Sequence, residues 1–187
     1  GGERYEELPY QLHSLHEPLA ANAAMVVQRV LNWYSKDTSL FLYRGAKLLQ
    51  LVFPEFPEPF QAALLQLIRA GEETKFEFVS DVLRAYDGQR FIHSVAKQLI
   101  KALPQESELL NEVSIALQST GVVSGEYGMS EAYEKKRQEV LDWLNDPHER
   151  VRAFAAKYIA DLESMRDIEK RRSDESIALR KFQYGEE

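Results

Sequence analysis

The chain has 187 residues, 44% of them hydrophobic, with 30 acidic against 23 basic side chains and a net charge of −7. That size and apolar content suffice for an independent core, and the acidic balance argues against a nucleic-acid backbone as partner, because phosphate binding draws on clustered Lys and Arg. The absence of cysteine excludes disulfides, a thiolate nucleophile and cysteine-based zinc sites, and makes a reducing cytoplasm the expected compartment. No apolar run approaches the ~18 residues of a membrane span, so no membrane association is expected. Gly1-Gly2 reads as a cloning remnant, which leaves open a native chain that extends upstream.

Residues 1–17 form a polar lead-in with Leu8, Leu12 and Leu15 in one short helical stretch. From Pro18 to Ser35 the spacing of Leu19, Ala23, Val26, Val27, Val30, Leu31 and Tyr34 predicts a helix with proline in its first turn. Asp37-Thr38-Ser39 caps a predicted helix to about Phe53, carrying Leu42, Ala46, Leu49 and Val52. Pro54, Pro57 and Pro59 end it and open the next, whose core face is Phe60, Ala63, Leu64, Leu67 and Ile68, with Gly71 as its left-handed stop. A helix from Glu72 to Tyr86 then presents Phe76, Val79, Val82 and Leu83, and Asp87-Gly88 makes the corner. Gln89 to Leu103 carries Ile92, Val95, Ala96, Leu99 and Ile100, and Glu106 to Ser119 carries Leu109, Leu110, Val113 and Leu117. Gly121 to Met129 reads as the one long loop, before a helix beginning at Ser130. The expected class is all-α.

The stretch from Val140 to Leu162 has the most specific pattern. Val140, Leu141 and Leu144 stripe one helix; Val151, Phe154, Ala155, Tyr158, Ile159 and Leu162 stripe the next. Between them Asp146 is placed as N-cap, Pro147 at N1 and Glu149 at N3, a stop followed by a start. The sequence L-x-x-L-N-D-P, a following V-R and then A-A resembles a HEAT repeat. The resemblance implies an α-α superhelix of stacked antiparallel helices, HEAT- or armadillo-like, of about eight or nine helices. It also implies a ladder in which the corner aspartate and the arginine after the valine bond between repeats, places that Asp146 and Arg152 would take. Asp37 and Asp87 set the register of the other copies, the three aspartates lying 50 and 59 residues apart in chain order. Leu42, Ile92 and Val151 then superimpose, as do Ala46, Ala96 and Ala155. Tyr43 and His93 stand where the third copy has Arg152. The expected organisation is a lead-in over 1–17, a repeat domain over 18–165 and a charged helix or tail over 166–187, the tail striped by Ile168, Ile177, Leu179 and Phe182.

No catalytic constellation is legible. His13, His16 and Glu17 lack the i, i+4 spacing and third ligand of a zinc site, so no metal is expected. Gly121, Gly125 and Gly128 fit neither a dinucleotide fingerprint nor a P-loop, so no cofactor is expected. Lys170-Arg171-Arg172 is flanked by Glu169, Asp174 and Glu175 and reads as a solvated helix face. Trp33, Trp143, Phe60, Phe76, Phe91 and Phe154 fall at or beside core spacing. The expected function is a non-catalytic scaffold binding another protein or another part of its parent chain. Val122, Val123, Tyr127 and Met129 in the long loop are its candidate contacts, and the tail is the second choice. The alternative is a nucleic-acid binder or repair enzyme resembling the DNA glycosylases built from HEAT-like helices.

Overall fold

A computed structural model describes residues 18–184. The lead-in, with His13, His16 and Glu17, lies outside the described residues apart from Pro18 onward. Among the described residues there are nine α-helices and no strand: α1 (Ala23–Tyr34), α2 (Thr38–Leu40), α3 (Ala46–Val52), α4 (Glu58–Ala70), α5 (Glu73–Ala85), α6 (His93–Ala102), α7 (Leu109–Gln118), α8 (Gly128–Val140) and α9 (Glu149–Tyr184). The fold is all-α. The chain divides into two compact units, with residues 18–116 in the first and 117–184 in the second. No described helix is long and apolar enough to cross a membrane.

In the first unit the apolar periodicity translates directly into burial. All five residues expected on α4 and all five expected between Ile92 and Ile100 are buried. Gly71 ends α4 with φ 73°, donating its N–H to the Ile68 carbonyl at 3.1 Å, a conformation in which a Cβ would be strained. The α4–α5 corner that follows is only Gly71 and Glu72, so the two helices pack on each other directly.

Several details depart from the sequence expectation, among them that the helix expected from Glu106 begins at Leu109 and leaves Leu109 and Leu110 half-buried. The helix expected from Asp37 to Phe53 begins with Asp37 accepting the Ser39 N–H at 3.0 Å, but widens to a π-helical turn over Phe41–Gly45. Close packing accompanies the widening, since a Cβ on Gly45 would lie 2.7 Å from the Phe41 ring. On α5, Phe78 takes the buried place expected for Phe76, which is only half-buried. Trp33 on α1 is 39% exposed, because its neighbour Tyr34 supplies the inward face.

Aromatic rings fill this core. Tyr34, Phe41 and Phe78 meet edge-on, their centroids 5.3–5.6 Å apart. Phe56 packs on Phe60, Tyr86 and Phe91 at 4.8, 5.0 and 5.4 Å. Its backbone sits at φ 57°, a conformation rarely adopted by an aromatic residue. Burial of the ring and the bond from Gln61 Nε2 to its carbonyl, 2.9 Å, hold it there.

The second unit packs α8 against the N-terminal half of α9, with a 3₁₀ turn over Leu141–Asn145 between them. Val151, Phe154, Ala155, Tyr158, Ile159 and Leu162 are all buried, as their spacing requires. The tighter 3₁₀ winding rotates the preceding stripe, so Trp143 is buried and Leu144 is 39% exposed. Beyond Leu162 the helix continues unbroken to Tyr184. Its 36 residues reach about 54 Å.

Candidate interaction surface

The corner residues sit where the helices turn, each in its own corner. Asp37 caps α2, and Asp87 is exposed in the turn before Gln89, where Gly88 (φ 71°) donates to the Ala116 carbonyl at 2.7 Å. Asp146 Oδ1 accepts the His148 N–H at 2.9 Å, but α9 begins at Glu149, so the N-cap place expected for Asp146 falls to His148, whose carbonyl accepts the Val151 and Arg152 N–H groups. Arg152 Nη1 donates to the carbonyls of Asp146 and Pro147 at 2.8 and 3.0 Å. Aspartate and arginine thus meet in one corner, with the guanidinium engaging the backbone.

Charged and polar groups in the first unit tie helices together. Tyr34 donates to Asp81 Oδ2 at 2.9 Å, linking α1 to α5, and Arg84 pairs with Glu112 on α7 at 3.3 Å. Burial raises the Asp81 carboxyl above its usual range, and Glu112 adds to that, while the Tyr34 bond and Arg84 oppose it. Burial first, then Asp81, pushes the Tyr34 hydroxyl up. At the start of α5, Glu73, Phe76 and Glu77 face Leu103, Pro104 and Glu106 across a shallow groove.

The second unit carries a denser network. Glu134 on α8 accepts from Gln138 at 2.7 Å, Arg166 at 2.7 Å and Arg137 at 3.1 Å, and Arg137 also binds Glu163 at 2.7 Å. The bonds from Gln138 and then Arg166 lower the Glu134 carboxyl. Lys136 and Glu139, one turn apart at 3.3 Å, form a buried pair with 8% and 9% of their side chains exposed. Tyr158 is buried near Glu139, and burial pushes its hydroxyl up. Among the described residues no cluster of three or more His, Asp or Glu could hold a metal.

The loop expected from Gly121 to Met129 ends earlier, because Met129 belongs to the first turn of α8. The loop is fastened to α9. Tyr127 donates to Asp174 Oδ1 at 2.6 Å, Ser173 Oγ to the Glu126 carbonyl at 2.6 Å, and Arg180 pairs with the Glu126 carboxylate at 2.6 Å. The bond to Asp174 raises the Tyr127 hydroxyl above its ordinary value. Of the four candidate contacts only Val122 is fully exposed; Val123, Tyr127 and Met129 are half-buried, and Val123 lies against Gly128. Glu126, Ser173 and Arg180 were not singled out from sequence, and Asp174 reads there only as a charge flanking the basic run. Partners 47 and 54 residues apart leave no local signal.

This brace touches one side of α9 and leaves the other open. Ile177, on the braced side, is half-buried. Ile168, Leu179 and Phe182 are 50%, 60% and 88% exposed. Their offsets of 11 and 14 residues are about three and four whole turns, so they line one stripe. In the first unit the exposed apolar residues Met25, Trp33, Leu51 and Ile115 are spread over three helices. Lys170, Arg171 and Arg172 are exposed on α9, with Arg172 3.7 Å from Glu169.

Compared with known proteins, the chain matches no family model, no curated sequence and no solved structure.

Proposed function

We propose that this chain is a non-catalytic helical scaffold that binds another protein along the open face of α9. The observation that carries the reading is the stripe of Ile168, Leu179 and Phe182, exposed on a helix whose opposite side is fastened by the loop. An exposed apolar stripe on a rooted helix is the form that helix-in-groove and helix-on-helix recognition takes. Bracing it beforehand reduces the ordering entropy lost on binding. The loop thereby takes a supporting role, and the contact moves to the tail. The corner at Asp146, with Arg152 against it, supports a HEAT-like stacking of hairpins as the finer description of the fold, and a cytoplasmic setting suits a chain without cysteine.

The test is affinity capture with the wild-type chain and with Leu179→Glu and Phe182→Glu, each confirmed folded by circular dichroism. A protein retained by wild type and lost from both variants supports the reading. If wild type retains none, while the purified chain excises a damaged base or binds duplex DNA at physiological salt, the nucleic-acid alternative replaces it.

A further inference from the structure

We infer that the open face of α9 pairs with the same face of a second copy of this chain, in an antiparallel two-helix seam. This rests on the binding-module reading and names its partner. The residues on the face are Met165, Ile168, Arg172, Glu175, Leu179 and Phe182, spaced three, four, three, four and three apart. That alternation is the a/d spacing of a coiled-coil seam. The side chain of Arg172 is 79% exposed although it reaches Glu169 of its own helix at 3.7 Å, Glu175 is exposed, and Met165 is half-buried with its sulfur accepting from Gln118 Nε2 at 3.0 Å.

The order of these residues is self-complementary only when the helices run in opposite directions. With a two-fold axis level with the 173–174 peptide, Arg172 of each copy faces Glu175 of the other, so two ion pairs form at the centre. Ile168 then faces Leu179 of the second copy on either side, and Phe182 faces Met165 at each end. A two-fold interface of this kind is isologous and closes on itself. A parallel, in-register pair would instead set Arg172 against Arg172 and Glu175 against Glu175, which is repulsive. Charges in the seam thus select direction and register, while the apolar layers supply the attraction.

The buried part of α9 ends at Leu162, and in this register that part of each copy lies beyond the other's Tyr184. The seam from Met165 to Phe182 covers about 26 Å, a small contact, so the dimer is weak, with a dissociation constant on the order of 10–100 µM.

The full chain has no native cysteine, which makes disulfide trapping direct. Ile168→Cys and Leu179→Cys chains, mixed and mildly oxidised, are expected to cross-link to each other faster than either does to itself, since identical positions lie about 16 Å apart along the axis. Sedimentation should show wild type dimerising with concentration. Glu175→Arg should weaken the dimer at least about tenfold, and adding Arg172→Glu to it should restore the affinity. Preferential Ile168→Cys self-cross-linking, a monomer throughout the concentration range, or no rescue by the second charge reversal would each overturn the proposal. A monomer that still captures another protein through Phe182 overturns the self-pairing alone and leaves the binding-module reading standing.

Discussion

Tyr34 and Tyr158 are both buried, yet their hydroxyls differ in what they meet. Tyr34 donates to Asp81 at 2.9 Å, whereas the hydroxyls of Tyr158 and Tyr86 have no hydrogen-bond partner among the described residues. A made bond contributes about 1 kcal/mol net, and an unmade buried one costs desolvation. Tyr34→Phe should therefore lower the unfolding free energy in urea by about 1 kcal/mol, while Tyr158→Phe leaves it unchanged or raises it. Equal losses from both would contradict this account. Asp81 brings in pH. Its carboxyl is raised chiefly by burial, so the folded protein keeps a proton that the unfolded chain has already released. This group's contribution is most favourable below its unfolded pKa and declines as pH rises through the window up to the folded value. Asp81→Asn should thus gain stability relative to wild type between acid and neutral pH, read from urea midpoints at both. A relative loss over that range would show that the Tyr34 and Arg84 interactions outweigh burial.

At the scale of elements, the corner from Asp146 to Arg152 is the most tightly specified turn. Asp146 bonds the His148 N–H, and Arg152 bonds the carbonyls of Asp146 and Pro147. A side chain-to-backbone bond of this kind contributes about 1 kcal/mol net, so Asp146→Ala should destabilise by that amount. Arg152→Ala acts on the same backbone turn, and the double variant should be non-additive in a denaturation cycle. Strict additivity would mean that the two side chains hold the corner independently. The long helix α9 is two elements in energetic terms. Up to Leu162 it is a core helix; beyond it polar bonds do the holding, first from Arg137 to Glu163 and Arg166 to Glu134, then to Glu126 and Tyr127.

For the molecule as a whole, local stability should follow that division. A helix end fastened by exposed polar bonds opens more readily than one fastened by buried apolar surface. Asp174→Ala removes the acceptor of the Tyr127 hydroxyl. Hydrogen exchange in residues 121–127 and in the last turns of α9 should then quicken, with the helices around Val140 and Phe154 unaffected. Unchanged exchange in the loop would mean that Glu126 alone, through Ser173 and Arg180, secures it.

The helices and most of the core could be read directly from the chain. Phe60 to Ile68 and Val151 to Leu162 bury the residues that a 3.6-residue period selects, because a helix buried on one side has only one stripe to offer. Gly71 was legible for the same kind of local reason, as a stop that needs a left-handed backbone. Where the winding changes, periodicity misleads: the π turn before Ala46 and the 3₁₀ turn at Leu141–Asn145 shift the stripe, and with it Leu144. Phe76 and Phe78 sit two residues apart, so only the packing of neighbouring helices chose between them. The brace was invisible for a deeper reason. Tyr127 and Asp174 are ordinary polar residues 47 positions apart, and nothing in their own surroundings marks them as partners. Tertiary structure alone brings that loop onto α9, and in doing so decides which side of the helix remains open: each side chain's period is a local property, whereas which face is covered depends on distant parts of the chain.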